Sequence, residues 1–87
     1  MSQFSQEKIS NLIMDFIYKN FPRASIKNVG LHNRLLEERI VDSLGFLEII
    51  TFLENTFGII VNDEDVSLEK FATISTISDY VENSMNN

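Results

Sequence analysis

Three groups of side chains in this 87-residue sequence combine residue types and spacing that chemistry could use. The first is Asp42-Ser43-Leu44, with Glu48 about one helical turn further on. A serine hydroxyl at the start of a helix stands among unpaired backbone N–H groups, at the positive end of the dipole, a setting that accepts a covalently attached phosphate. Serine is also a common helix-start residue that does no more than satisfy those N–H groups, and of these two roles the second is the one favoured by the tripeptide alone. The second group, Asn62-Asp63-Glu64-Asp65, offers oxygen ligands, but a calcium loop starting at Asp63 would put Leu68 at its required glycine and Ile74 at its bidentate glutamate. It reads as a solvated acidic connector. The third is His32, the single histidine, which has no nucleophile beside it in sequence and reads as a loop surface residue. There is no cysteine, which excludes a disulfide framework, a thiolate zinc site and a cysteine nucleophile. Any sulfur chemistry must be brought to the chain from outside.

Helices are the elements that must position these groups. Ile9, Leu12, Ile13, Phe16 and Ile17 follow the spacing of an amphipathic helix, predicted over about residues 5–20, with Ser5 as N-cap and Phe21-Pro22 as the stop. From Pro22 to Val41 the periodicity breaks, and Ile26, Val29, Leu31, Leu35, Leu36, Ile40 and Val41 are expected to pin this long loop to the core, with a short helical turn at Leu35–Arg39. Asp42 can cap a second helix from Ser43 to about Thr56, closed by Gly58. Gly58–Val66 forms the acidic connector. Ser67–Phe71 suggests a short third helix, and Thr73 caps a fourth that buries Ile74, Ile77 and Val81. The predicted architecture is all-α, a small four-helix bundle of three longer helices and a short third one with a long first loop, in a single domain spanning 1–87.

At about 100° per residue, Phe46, Ile49, Ile50, Leu53 and Phe57 share the core side of the second helix. Leu44, Glu48, Thr51 and Asn55 face the other way, with Leu47 and Phe52 on the flanks. An exposed leucine ringed by acids at the mouth of a long loop is a candidate docking patch. The formal charge of −6 sharpens this: residues 1–40 hold six bases and four acids, whereas residues 41–87 hold nine acids and Lys70 alone. That acidic half repels nucleic acid and attracts a partner with a Lys/Arg patch. A chain of this size buries only roughly 60 to 65% of its unfolded surface, enough for one core but not for a deep substrate chamber, so an enzyme is not expected. Neither a signal peptide nor an apolar run of about 20 residues is present, and the expectation is a cytoplasmic protein with no stable membrane insertion.

The stretch Leu35-Leu36-Glu37-Glu38-Arg39-Ile40-Val41-Asp42-Ser43-Leu44-Gly45-Phe46-Leu47-Glu48 resembles the phosphopantetheine attachment region of acyl carrier proteins. Its continuation strengthens the likeness: Ile49-Ile50, Phe52-Leu53-Glu54 and Phe57-Gly58-Ile59, then Asp63-Glu64-Asp65 and Glu69-Lys70-Phe71-Ala72-Thr73-Ile74. The resemblance covers about residues 31–82, and the first helix fits in length and pattern only.

The resemblance implies that Ser43 carries 4'-phosphopantetheine, joined by a separate phosphopantetheinyl transferase from coenzyme A with magnesium, and that the arm's thiol holds acyl or aminoacyl groups as thioesters. It implies that Asp42 supports the site, that Leu44, Leu47, Glu48, Thr51 and Glu54 meet partner enzymes, and that the Asp63–Asp65 acids extend that contact to basic surfaces. Those partners would be acyl-loading, synthase or acyltransferase enzymes of fatty acid, polyketide or related biosynthesis. Phe46, Ile50, Val61 and Phe71 become candidates to line the space for an acyl chain. Arg39 stands where many family members have glycine, and Gly45 where an acidic residue is frequent, which points to a discrete carrier of a specialised pathway; from its start at Met1 and its end soon after the fourth helix the chain is expected to be free-standing, and it is expected to be a monomer. The competing reading is an unmodified helical adaptor that binds a basic partner through the acidic face of the second helix.

Overall fold

Ser5 opens the first helix as its position predicts, its Oγ accepting the Lys8 N–H at 3.1 Å. In the computed structural model, which describes residues 4–86, α1 runs Gln6–Asn20 and ends where Phe21 is extended ahead of Pro22. The chain then departs from expectation. Pro22 is also the first residue of a five-residue helix, α2 (Pro22–Ile26), inside the stretch predicted to be loop. A proline that cannot continue one helix is well suited to start another, because its fixed φ is helical and its missing N–H would have had no partner there.

The remainder of the long connection is built from capped turns. Asn28 takes a left-handed φ of 53°, and Val29 N–H donates to Ala24 O at 3.0 Å. A single helical turn follows over 35–39, as expected, and Arg39 closes it with φ 58°. Ile40 N–H donates to Leu35 O at 2.9 Å and Arg39 N–H to Leu36 O at 3.1 Å, the paired bonds of a left-handed helix cap. Leu35 N–H reaches Ala72 O at 2.9 Å and Ser75 N–H reaches Leu31 O at 3.0 Å, tying this turn to the far end of the chain.

The helix called second in the sequence is α3 (Ser43–Phe57), and Gly58 ends it at φ 68°. The connector contains a 3-10 turn, Asp63–Asp65. Short α4 (Leu68–Phe71) is capped by Ser67, and α5 (Ile74–Met85) by a reciprocal box between Thr73 and Thr76. The architecture is the predicted all-α bundle: α1, α3 and α5 are the long helices, α4 is short, and α2 is added within the first loop.

Ile9, Ile13 and Ile17 of α1, Ile49 and Leu53 of α3, Phe71 of α4 and Ile74, Ile77 and Val81 of α5 are fully buried together. Ile50, placed on the core side by periodicity, is half-buried. Among the expected loop pins, Val29, Leu35, Ile40 and Val41 are buried and Leu36 packs against the core. Ile26 and Leu31 do not serve: they are 81% and 41% exposed, because α2 turns only Ala24 inward and Leu31 is held by its carbonyl instead. The α1–α5 seam contains two buried serines, Ser10 Oγ donating to Ser78 Oγ at 2.9 Å and Ser78 Oγ to Ile74 O at 2.8 Å, so neither hydroxyl is left unpaired in the core. No described helix is long and apolar enough to cross a membrane.

Candidate functional site

Asp42 adopts an extended conformation and its Oδ1 accepts the Gly45 N–H at 2.7 Å, so the carboxylate performs the capping of α3. Ser43 is therefore the first helical residue rather than the cap. Its hydroxyl is exposed and makes no hydrogen bond to another described residue. Of the two roles open to this serine from sequence, that of satisfying backbone donors is taken by its neighbour.

Gly45 explains how the end of α3 sits against the rest of the molecule. A Cβ at this position would come within 2.5 Å of Phe21 Cε1 and 3.2 Å of Asp42 Oδ1. The glycine thus lets the Phe21 ring, itself edge-on to Phe16 at 6.2 Å, close over the first turn of α3. This brings the α1–α2 junction beside Ser43. Between them lies an open groove of about 760 Å³ that includes Ser43, Asp42, Leu44, Glu48, Pro22, Arg23 and Arg39.

Down the outer side of α3, Leu44 is 72% and Leu47 59% exposed, and Glu48 and Thr51 are exposed with them. Thr51 Oγ1 donates to Leu47 O at 3.1 Å. Leu47, Glu48 and Thr51 also border a second shallow groove of about 620 Å³, floored by Phe16 and Phe52, whose rings stack at 4.2 Å. The outward face read from periodicity is present as one continuous strip starting at Ser43.

The family model described as "Phosphopantetheine attachment site" matches residues 23–81, more than half of the chain and including this helix start. The chain belongs to the phosphopantetheine-attachment family. An acyl carrier protein of Lactobacillus johnsonii is 33% identical over 85 residues, covering 94% of this chain and 99% of that protein. The solved structure of KstB-PCP in its apo form matches with a TM-score of 0.69 at 29% identity, over 91% of this chain and 88% of the other. Members of the phosphopantetheine-attachment family are carriers and not catalysts: they hold intermediates on a phosphopantetheine arm that other enzymes load and unload.

The other residues singled out by sequence are placed as follows. Glu54 is half-buried, and its Oε2 accepts the Val61 N–H at 3.0 Å, so it secures the connector as well as standing near the strip. Phe46 and Phe71 meet edge-to-face at 5.7 Å inside the bundle, Val61 is buried, and Ile50 is half-buried. Asp63 and Glu64 are exposed, whereas Asp65 is the hub of a small network. Lys70 Nζ lies 3.1 Å from its Oδ1, and Tyr80 Oη donates to its Oδ2 at 3.1 Å. These bonds, that from Lys70 first, hold the Asp65 carboxyl below its ordinary pKa, and burial raises that of Tyr80, which remains the donor. His32 is exposed, and no three metal-ligating side chains gather among the described residues.

Two residues of the groove, Arg23 and Arg39, were not singled out as site residues in the sequence. Arg23 lies 20 positions before Ser43, and only the fold of α2 and of the 35–39 turn brings both arginines to the same groove. The one signal in the sequence is Arg39 itself, which departs from the glycine that the family resemblance leads one to expect there.

Proposed function

We propose that Ser43 is the attachment residue of this carrier, and that its Oγ bears the 4'-phosphopantetheine arm. The observation that carries the proposal is the division of labour at the helix start: Asp42 caps the helix at 2.7 Å, and the Ser43 hydroxyl is left exposed and free of hydrogen bonds to described residues. A carrier serine has to be reached by a separate transferase and must not be tied into the fold. In the attachment, Ser43 Oγ displaces 3',5'-adenosine diphosphate from coenzyme A: the serine O–P bond forms, the pyrophosphate P–O bond breaks, and the hydroxyl proton passes to the transferase. When bound, the arm supplies the thiol that this cysteine-free chain lacks and on which acyl or aminoacyl groups ride as thioesters.

The residues around Ser43 fit that group. Its hydroxyl opens onto a groove rather than packing against a neighbour, and the groove contains cationic side chains suited to a phosphodiester. Leu44, Leu47, Glu48 and Thr51 form the surface that transferase, loading and synthase enzymes read, and Glu54 and the connector acids extend it toward basic patches. An acyl chain that enters the bundle would part Phe46, Ile50, Val61 and Phe71. Fatty acid, polyketide and aminoacyl pathways all meet this description.

Incubation of the purified protein with coenzyme A, magnesium and a promiscuous phosphopantetheinyl transferase, followed by intact mass measurement, tests the reading. The expected result is a gain of one phosphopantetheine that disappears in Ser43→Ala. Failure to gain mass with several transferases would favour an unmodified adaptor.

A further inference from the structure

We propose that Arg39, with Arg23 braced behind it, holds the phosphate that links the arm to Ser43, so that the first bonds of the arm leave the protein in a set direction. The inference rests on the attachment of the arm at Ser43. Three independent observations support it.

The first is conformational. Arg39 occupies the left-handed position that closes the 35–39 turn, at φ 58°. The cap bonds it makes are backbone bonds, Arg39 N–H to Leu36 O and Ile40 N–H to Leu35 O, and glycine would make the same ones without the steric penalty of a Cβ. Nothing in the turn itself uses the arginine side chain. A residue kept in a costly conformation with no local return is a residue to examine for function.

The second is electrostatic. The ion pairs among the described residues are Lys19–Asp15, Arg34–Glu37 and Lys70–Asp65, and neither Arg23 nor Arg39 belongs to one. Arg23 Nη1 instead donates to the Arg39 carbonyl at 3.3 Å, which fixes the Arg23 side chain across the base of the turn and leaves its other donors available. Two carboxylates share the groove, Asp42, whose Oδ1 accepts the Gly45 N–H, and Glu48, but among the described residues neither forms an ion pair with Arg23 or Arg39.

The third is the charge of the surroundings. Residues 41–87 carry nine acids and one base, a field that repels a phosphodiester, and Ser43 lies at its edge. Two guanidinium groups in the same groove as Ser43 offset that field where the phosphate must sit, and a guanidinium fork matches two phosphate oxygens in a way a lysine does not. Arg39 and Arg23 are thus positioning residues for the arm, and neither takes part in its chemistry.

The test uses the full chain, unmodified and modified, as wild type, Arg39→Gly, Arg39→Lys and Arg23→Ala. Arg39→Gly places in the turn the residue its backbone favours, so folding is preserved. Intact mass first establishes that each variant accepts the arm. The phosphorus NMR resonance of the modified proteins is then compared with that of the same protein unfolded in urea. The wild type is expected to show a displaced, broadened resonance that moves toward the unfolded position in Arg39→Gly and Arg23→Ala, moves part of the way in Arg39→Lys, and collapses as salt is raised. Attachment is also expected to raise the melting temperature more in wild type than in Arg39→Gly at low salt. Equal phosphorus spectra in wild type and the arginine variants, with the mass gain present, would overturn this inference and leave the carrier reading standing. Absence of the mass gain in every variant would overturn both. Inorganic phosphate added to the unmodified protein is the control: if it perturbs the Arg39 backbone amide as strongly as attachment does, the assignment to the serine-linked phosphate fails.

Discussion

At the scale of single residues, the site depends on two neighbours doing different jobs. Asp42 holds the helix start and Ser43 is left free of it, so the two positions respond differently to truncation. Asp42→Ala is expected to cost about 1 kcal/mol of stability through loss of the N-cap, and Asp42→Asn much less, because an amide oxygen still accepts the Gly45 N–H. Urea denaturation of the two variants checks this, and equal losses would mean that the charge of Asp42 matters more than its hydrogen bond. Glu48 belongs to the same surface but has no structural bond to lose. Glu48→Lys should therefore melt close to wild type while slowing modification by a transferase with a basic docking face, most clearly at low salt. Unchanged modification rates at low ionic strength would remove Glu48 from the docking surface.

At the scale of elements, what could be read in advance followed from repetition. The long helices were legible because apolar residues recur at helical spacing, five in α1, five in α3 and three in α5, and Ser5, Asp42, Gly58 and Thr73 mark their ends with capping chemistry that the structure uses. Helix α2 was not legible, since five residues are too few to show a period and Pro22 reads first as a stop signal. The outward strip of α3 was legible for the reason the helices were. The groove beside Ser43 was not, because it depends on a tertiary contact made by the Phe21 ring. Gly45 is where these levels meet. Taken alone, a glycine inside a helix costs up to about 1 kcal/mol relative to alanine, so Gly45→Ala would stabilise an isolated helix by that amount. In the folded chain the added Cβ strikes the Phe21 ring at 2.5 Å, and overpacking typically costs about 1 to 3 kcal/mol. Gly45→Ala is expected to leave the protein no more stable than wild type, or less stable by up to about 2 kcal/mol, and to loosen α2 as seen by hydrogen exchange at Ala24 and Val29. A full gain of helix stability would show that the Phe21 ring moves aside without cost, and that the groove is set by something else.

At the scale of the whole molecule, two carboxylates oppose the general self-repulsion of an acidic chain. With 13 acids and seven bases the chain repels itself at neutral pH, and protonating exposed carboxylates should relieve that strain as the pH falls toward 5. Glu38 and Asp65 work in the opposite direction. Glu38 accepts from Asn33 Nδ2 at 3.0 Å and from the Arg34 N–H at 2.7 Å, and these bonds, that from Asn33 first, lower its pKa. Asp65 is lowered by Lys70 and then by Tyr80. Glu38 closes the turn that carries Arg39, and Asp65 joins the connector to α4 and α5, so each ties a loop of the site to the bundle. A carboxyl whose pKa is lowered on folding binds fewer protons folded than unfolded. Its contribution is complete above the unfolded value, about 4.3 for Glu and 3.9 for Asp, and is lost as the pH falls through the lower folded value. The wild-type melting temperature is therefore expected to hold or rise slightly from pH 7 to about 5 and then to fall steeply below about 4. The double variant Glu38→Gln, Asp65→Asn should be less stable at neutral pH and show a shallower fall on the acid side, because an amide keeps part of the hydrogen bonding but has no proton to take up. Parallel acid limbs for wild type and double variant would show that these two carboxylates do not couple the loops to the fold, and that acid unfolding is driven by carboxylates elsewhere in the chain.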